Sequence, residues 1–293
     1  MIRFALLLLL SANLYAAESA VEIDTASQVY QAAGVREEVR ASLRSMPGKM
    51  RQMFAGDQSA NLSDAQLAAV ESAAARGFRI DVFEAPALTA LAANLDATTV
   101  KKSLAFLGTG LGRRMVEADI ALANLDEAAI DKVTRGELAA PSTPEREALF
   151  VKLERAARST DSAVQIYLSI ARALAIGTAI GGGMDPIAAD DRARSSADAA
   201  AREDLAQRMR EPLRRYMAYG YRELSNADLR GLLAFLESRA GERYVNAYMA
   251  AMSAGFDAMG RRCGEQIGES WRELAQARRA APVRSTSAET PSP

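Results

Sequence analysis

The 293-residue sequence contains no histidine and a single cysteine. Without histidine there is no Ser-His-Asp or Cys-His catalytic unit, no imidazole-ligated metal and no imidazole switch near neutral pH. One cysteine, Cys263, excludes an internal disulfide and any cysteine-rich zinc or iron–sulfur centre. Aromatic residues make up only 6% of the chain, and runs of Val, Ile, Thr and Tyr, the material of strands, are scarce. Charge of either sign is not in excess: 36 Lys and Arg face 37 Asp and Glu, a formal net charge of −1. No global field gathers DNA or RNA, so no nucleic-acid partner is expected. What remains is carboxylate, Lys, Arg, Ser, Thr and Tyr chemistry, or none. No cofactor or metal is expected.

Alanine, by contrast, fills about a fifth of the chain, well above its usual share. It is the best helix former, with Leu, Arg and Glu close behind. The expected fold is all-α, a multi-helix bundle. The N-terminus reads MIRFALLLLLSANLYAAESA. Arg3 supplies a short positive start, and Phe4 to Leu10 is an apolar run too short to span a bilayer as a mature helix. Ala16 and Ala17 each place a small residue before a possible cut, so residues 1–17 are expected to be a signal peptide. No cysteine follows for lipid attachment. The expected destination is oxidising, most simply the bacterial periplasm, with residues 18–280 as one helical domain. The Ser, Thr and Pro-rich residues 281–293 are expected to be a disordered tail.

Local signals divide the domain. Thr25 to Phe54 reads as one helix, interrupted at Gly34 and bent near Pro47. Ser63 to Gln66 is a capping box, and Arg79 to Asn94 reads as helix with Pro86 inside it. Asp96 and Asp126 are further caps. Ala140 to Pro144 is the clearest linker, with Pro144 placed to open a helix. Thr160 to Ile180 is the most apolar stretch. Gln165 and Arg172 argue for a core helix and against a membrane span, so no transmembrane helix is expected in the mature chain. Its small residues recur every four positions as Ala171, Ala175, Ala179 and as Ala173, Gly177, Gly181, which lets a neighbouring backbone approach. Gly181 to Gly183 ends it, and Asp185-Pro186 is expected to forbid an immediate restart. Asp190 to Tyr219 is charged helix. Ser225 to Asp228 is another capping box, and Ser238 caps a last helix to about Ala280.

Residues 95–121 align without gaps to residues 224–250 at an offset of 129. About ten of the 27 positions match, more than composition alone supplies. They include Phe106 with Phe235, Gly112 with Gly241 and Arg114 with Arg243. The expected meaning is two related helix–corner–helix repeats around a shared core. At the corner, Phe235 and Leu236 end one helix, and Ser238 accepts N–H bonds at the start of the next. Gly241, one turn in, lets the two helices close on each other. A mid-helix Gly costs about 1 kcal/mol against Ala, so its presence in both copies has a packing reason.

Leu224 to Gly241, read as L-S-x-x-D-L-x-x-L-x-x-F-L-E-S-x-x-G, resembles the bacterial family catalogued as "domain of unknown function 2059". That family's corner runs Phe-Tyr-x-Ser-Pro-x-Gly. Phe235, Ser238 and Gly241 match it, while Leu236 replaces the Tyr and Arg239 the Pro. The likeness covers about residues 210–275 and, more faintly, 80–125. It implies an all-helical fold and an envelope location, and carries no activity.

Candidate chemistry is sparse. Glu269-Ser270 is the residue pair of lytic transglycosylases but lies within a long helix, without the Gly-rich motifs that follow it there. Thr98, Thr99 and Lys101 imitate a hydroxyl–lysine dyad, and the second copy has Arg230 in place of Lys101. Asp185, Asp190 and Asp191 lack calcium-loop spacing. Cys263 lies on the stripe Met252, Phe256, Met259, Cys263, Ile267, Trp271, Leu274 and is expected to be a buried thiol. The best polar-partner surface is Arg208, Arg214, Arg215, Tyr216, Tyr219 and Arg222, suited to anionic headgroups or cell-wall carboxylates. The expected function is therefore a secreted, non-catalytic binding or structural module engaging an envelope component. The alternatives are a cell-wall glycan enzyme working with carboxylates alone and a carrier of an apolar ligand. A deep cleft with two facing carboxylates would weigh against the non-catalytic reading.

Overall fold

Short polar side chains mark where most helices begin. The computed structural model describes residues 20–56, 61–140, 142–195 and 199–280; the expected signal peptide and C-terminal tail lie outside the described residues. Among those residues there are fourteen helices and no strand: α1 (Ile23–Ala32), α2 (Val35–Leu43), α3 (Met46–Gly56), α4 (Asp64–Gly77), α5 (Ile80–Asn94), α6 (Ala97–Leu107), α7 (Gly110–Ala123), α8 (Glu127–Arg135), α9 (Pro144–Ala156), α10 (Ser159–Gly181), α11 (Pro186–Ser195), α12 (Ala199–Gly220), α13 (Asn226–Leu236) and α14 (Arg239–Ala280). The fold is an all-α multi-helix bundle. Ser63 and Ser225 form complete capping boxes, and Asp96, Asp126 and Thr143 each accept the N–H three residues on. Pro144 opens α9 as expected.

Two boundaries differ from the sequence reading. Thr25 to Phe54 is three helices. Gly34, at φ +66°, turns the chain between α1 and α2, and α3 begins anew at Met46, because Pro47 fits a first helical turn, where its missing N–H goes unneeded. Asp185-Pro186 does not delay the next helix but starts it. Pro186 is the first residue of α11, and Asp185 accepts the N–H groups of Ile187 and Ala188 at 3.0 and 3.1 Å.

The organising element is α14, 42 residues long or about 63 Å at 1.5 Å per residue. One buried apolar cluster packs α1, α2, α4 and α5 against its middle around Phe83, Phe256, Met259 and Ile267. A second gathers Leu149, Phe150, Leu153, Leu229, Leu232 and Leu233 of α9 and α13 against Val245 and Met249. Tyr244 packs against both clusters. Along α10 the row Ala173, Gly177, Gly181 is buried against α14, while Ala171 and Ala175 face outward. A methyl added at Gly177 or Gly181 would overlap the carbonyl oxygens of Arg261 and Glu265, and one at Gly264 or Gly268 those of Leu174 and Thr178. The two backbones are in contact. Cys263 is fully buried on α14, and burial raises its thiol to about 12, which makes it inert.

The two corners are built alike. The Thr109 and Ser238 hydroxyls each accept from the following glycine, Gly112 N–H and Gly241 N–H, at 3.0 Å. Each hydroxyl donates back to Phe106 O or Phe235 O at 2.6 Å. A Cβ on Gly112 would lie 2.7 Å from Leu107 Cα, and one on Gly241 would lie 2.7 Å from Leu236 Cα. The Phe106 and Phe235 rings stack face to face, centroids 4.0 Å apart and planes within 2°. Reciprocal ion pairs flank the stack: Arg243 meets Asp96, and Arg114 meets Asp228.

Candidate functional site

Beside this stack the chain leaves a cleft of about 240 Å³ lined by residues of α2, α7, α9, α10, α12, α13 and α14. Helical spacing supplies it in pairs four residues apart, which share one face: Met115 and Asp119, Met217 and Tyr221, Leu232 and Leu236, Tyr244 and Tyr248. Glu38 enters from α2. Its approach depends on Gly34, where a Cβ would sit 2.7 Å from Val116 Cγ1 and 2.9 Å from Ile120 Cδ1 on α7. At the repeat offset Met115 corresponds to Tyr244 and Asp119 to Tyr248, so matched positions of the two aligned segments line the same cleft.

The polar groups converge without a cation. The Tyr248 hydroxyl donates to Glu38 Oε2 at 3.1 Å, and Tyr221 lies beside the Asp119 carboxyl. Burial raises the Glu38 carboxyl, against the stabilising Tyr248 hydrogen bond. Burial and then the charge on Glu38 push Asp119 up to about 8. Both carboxyls are thus raised, and Asp119 keeps its proton at neutral pH. Burial together with these carboxylates also raises Tyr221, Tyr244 and Tyr248, so all three remain phenols and donors. Nearby Tyr216 is raised to about 12 by burial and the same two charges, and its hydroxyl donates to Leu122 O at 3.0 Å. No Lys or Arg is among the residues lining the cleft. Arg146, only 9% exposed, braces the site from behind. Its guanidinium donates to Tyr221 O at 2.7 Å and Leu224 O at 2.8 Å, fixing the turn that carries Tyr221.

The arginine face predicted from sequence does not converge on one point. Arg208 pairs with Asp204, Arg214 and Arg215 both pair with Glu211, and Arg215 also donates to Thr134 O. Arg222 lies over the Tyr219 ring at 4.3 Å. Arg214 and Arg215 border a larger depression of about 450 Å³, but Glu211 and Glu147 stand in its wall and its charges are met internally. Another, of about 520 Å³, has a mixed rim of Lys152, Arg155, Arg158, Glu237 and Glu242. Glu269 is exposed on α14, and the hydroxyl of buried Thr99 donates to Asp96 at 3.0 Å, so neither belongs to a catalytic set. Asp185 caps α11 and Asp190 pairs with Arg261 at 3.5 Å.

Glu38, Asp119, Tyr244 and Tyr248 escaped the sequence reading because their segments are far apart in the chain. The available signal was tyrosine placement: five of the eight tyrosines lie between residues 216 and 248. In comparison with known proteins the chain matches no family model, no curated protein and no solved structure.

Proposed function

We propose that this chain is a secreted envelope protein that holds a small molecule in the cleft between α2, α7, α12 and α14, acting by binding rather than turnover. The lining carries this reading: two carboxylates from separate helices with tyrosines beside them, in walls otherwise built mainly of Met, Leu, Val and Ala. Few fixed polar groups in an apolar wall is the usual make of a small-molecule site. The secreted placement rests on the N-terminal apolar run and on the corner's likeness to the domain of unknown function 2059. Reciprocal ion pairs and the stacked phenylalanines support descent of the two corners from one duplicated unit. Native mass spectrometry of protein purified from periplasmic extract tests the binding reading. The expected result is a co-purified small molecule that is lost when Met217→Trp fills the cleft. A wild-type protein that is empty, and whose Met115 and Met217 methyl NMR signals do not respond to periplasmic small-molecule extract, would overturn it.

One observation favours a second reading, an enzyme using carboxylates alone. Asp119 protonated beside an ionised Glu38 is the division of labour that acid–base hydrolysis requires. The apolar walls weigh against a glycan, whose hydroxyls need partners on every side. Zymography on purified peptidoglycan separates the two: clearing abolished by Asp119→Asn and by Glu38→Gln would establish the enzyme, and no clearing leaves the binding protein.

A further inference from the structure

We infer that the occupant of this cleft is an organic cation, an ammonium group set between Glu38 and Asp119 with its hydrocarbon body against Met115, Met217 and Leu236. This rests on the reading that the cleft binds a small molecule. This molecule gives four of its other recessed carboxylates an arginine partner. Asp96 meets Arg243, Glu84 meets Arg36, Asp228 meets Arg114, and Asp190 meets Arg261. Among the described residues no Lys or Arg lines the cleft. The groups facing the two carboxylates are Tyr221 and Tyr216 from the α12 side and Tyr244 and Tyr248 from α14, all neutral phenols.

An anion entering here meets two carboxyl groups and no Lys or Arg. A neutral ligand leaves the charge of Glu38 desolvated. A cation removes that cost, because opposite charge within a few ångströms favours the ionised form of both carboxyls. A primary ammonium brings three donors. The Glu38 carboxylate, which accepts the Tyr248 hydroxyl, and the Asp119 carboxylate beside it keep lone pairs for it. Tyrosine rings are favourable walls for a desolvated cation. The cleft's 240 Å³ equals about eight water volumes of ~30 Å³, which suits a ligand of roughly that many heavy atoms.

Binding also moves a proton. At neutral pH Asp119 is protonated; the incoming ammonium ionises it, and the proton leaves to solvent. Affinity then rises with pH and levels off above about 8, where Asp119 becomes ionised in the free protein.

The test is calorimetry on the mature protein with three probes of one shape: hexylammonium chloride, 1-hexanol and sodium hexanoate. Titrations at pH 7.0 use two buffers of different ionisation heat. Hexylammonium is expected to bind at least tenfold tighter than hexanol, to shift the Met115 and Met217 methyl signals, and to release up to one proton. Hexanoate is expected not to bind. Asp119→Asn should abolish the proton release and weaken hexylammonium at least fivefold, and Tyr248→Phe, which keeps the wall intact, should weaken it less. Circular dichroism confirms that each variant folds. Hexanol or hexanoate binding as tightly as hexylammonium overturns the cation and leaves a binding cleft. No binding by any probe also overturns the cation, and the native mass spectrum then decides whether the cleft holds a ligand at all.

Discussion

Asp96 and Asp119 are the same residue in one protein, both withdrawn from solvent, and they are driven in opposite directions. Burial alone would raise Asp96. It is outweighed by the Thr99 N–H at 2.7 Å, the Arg243 guanidinium and the Thr99 hydroxyl, which together hold its carboxyl below the ordinary range. Asp119 is raised first by burial, then by a negative neighbour in Glu38, with only one tyrosine hydroxyl against them, and it rises to about 8. The two differ in what was placed opposite: donors and a guanidinium at Asp96, a second carboxyl at Asp119. A carboxylate that serves the fold is surrounded by donors and a cation; one kept for another purpose is left short.

Breaking the satisfied site should have the largest effect. Asp96→Ala removes the α6 cap and leaves Arg243 and Thr99 without their acceptor, a loss of about 2–3 kcal/mol read by urea denaturation. Arg243→Met is expected to cost about 1–2 kcal/mol, and it turns Asp96 toward the behaviour of Asp119. The Asp96 carboxyl carbon, followed by NMR, should then titrate at higher pH than in the native protein.

The comparison also fixes the sign of two pH effects. Asp96 is lowered in the fold, so its contribution is present above the unfolded carboxyl value and lost as pH falls through its own lower value. Asp119 is raised, so its contribution is full below the unfolded value near 3.9 and declines as pH climbs through about 8. Asp119→Asn should therefore have a melting temperature close to native at pH 3.5 and above native at pH 9. A native-like decline at pH 9 in that variant would break the contrast. The smallest effect belongs to the second corner. Arg114 is 51% exposed and Asp228 25%, so Arg114→Ala is expected to cost at most about 0.5 kcal/mol, distinguishable from Arg243→Met in the same denaturation series.

Helix starts were legible because a cap is a local device. Ser63, Asp96, Asp126, Thr143 and Ser225 each act within three residues of themselves, and the corner glycines announced their packing role by recurring in register. The buried thiol was equally legible from its stripe. The Pro186 start was missed because Asp-Pro has two local meanings, stop and open, which differ only in whether the Asp side chain turns forward to cap. The cleft was not legible at all. Glu38 reads as an ordinary helix carboxylate among Arg36, Glu37 and Arg40, and Asp119 as one more charge in α7. Tyr221 directly precedes Arg222 of the predicted arginine face, yet it lines the cleft while Arg222 turns to the Tyr219 ring. Nothing within a few residues of any of them records that α2, α7 and α14 meet.

The contact between α10 and α14 has a consequence for how the cleft could change. Two helices touching backbone to backbone through Gly177, Gly181, Gly264 and Gly268 behave as a toothed rack. A slip of one residue would advance α14 by about 1.5 Å and rotate it by about 100°, and the teeth forbid it. Tyr248 rides on the same rod, 16 residues from Gly264 and so about 24 Å away. The gauge of the cleft is thus set at a distance. A bulkier side chain among those glycines would recalibrate the spacing of Tyr244 and Tyr248 from Glu38 and Asp119 without touching any of the four.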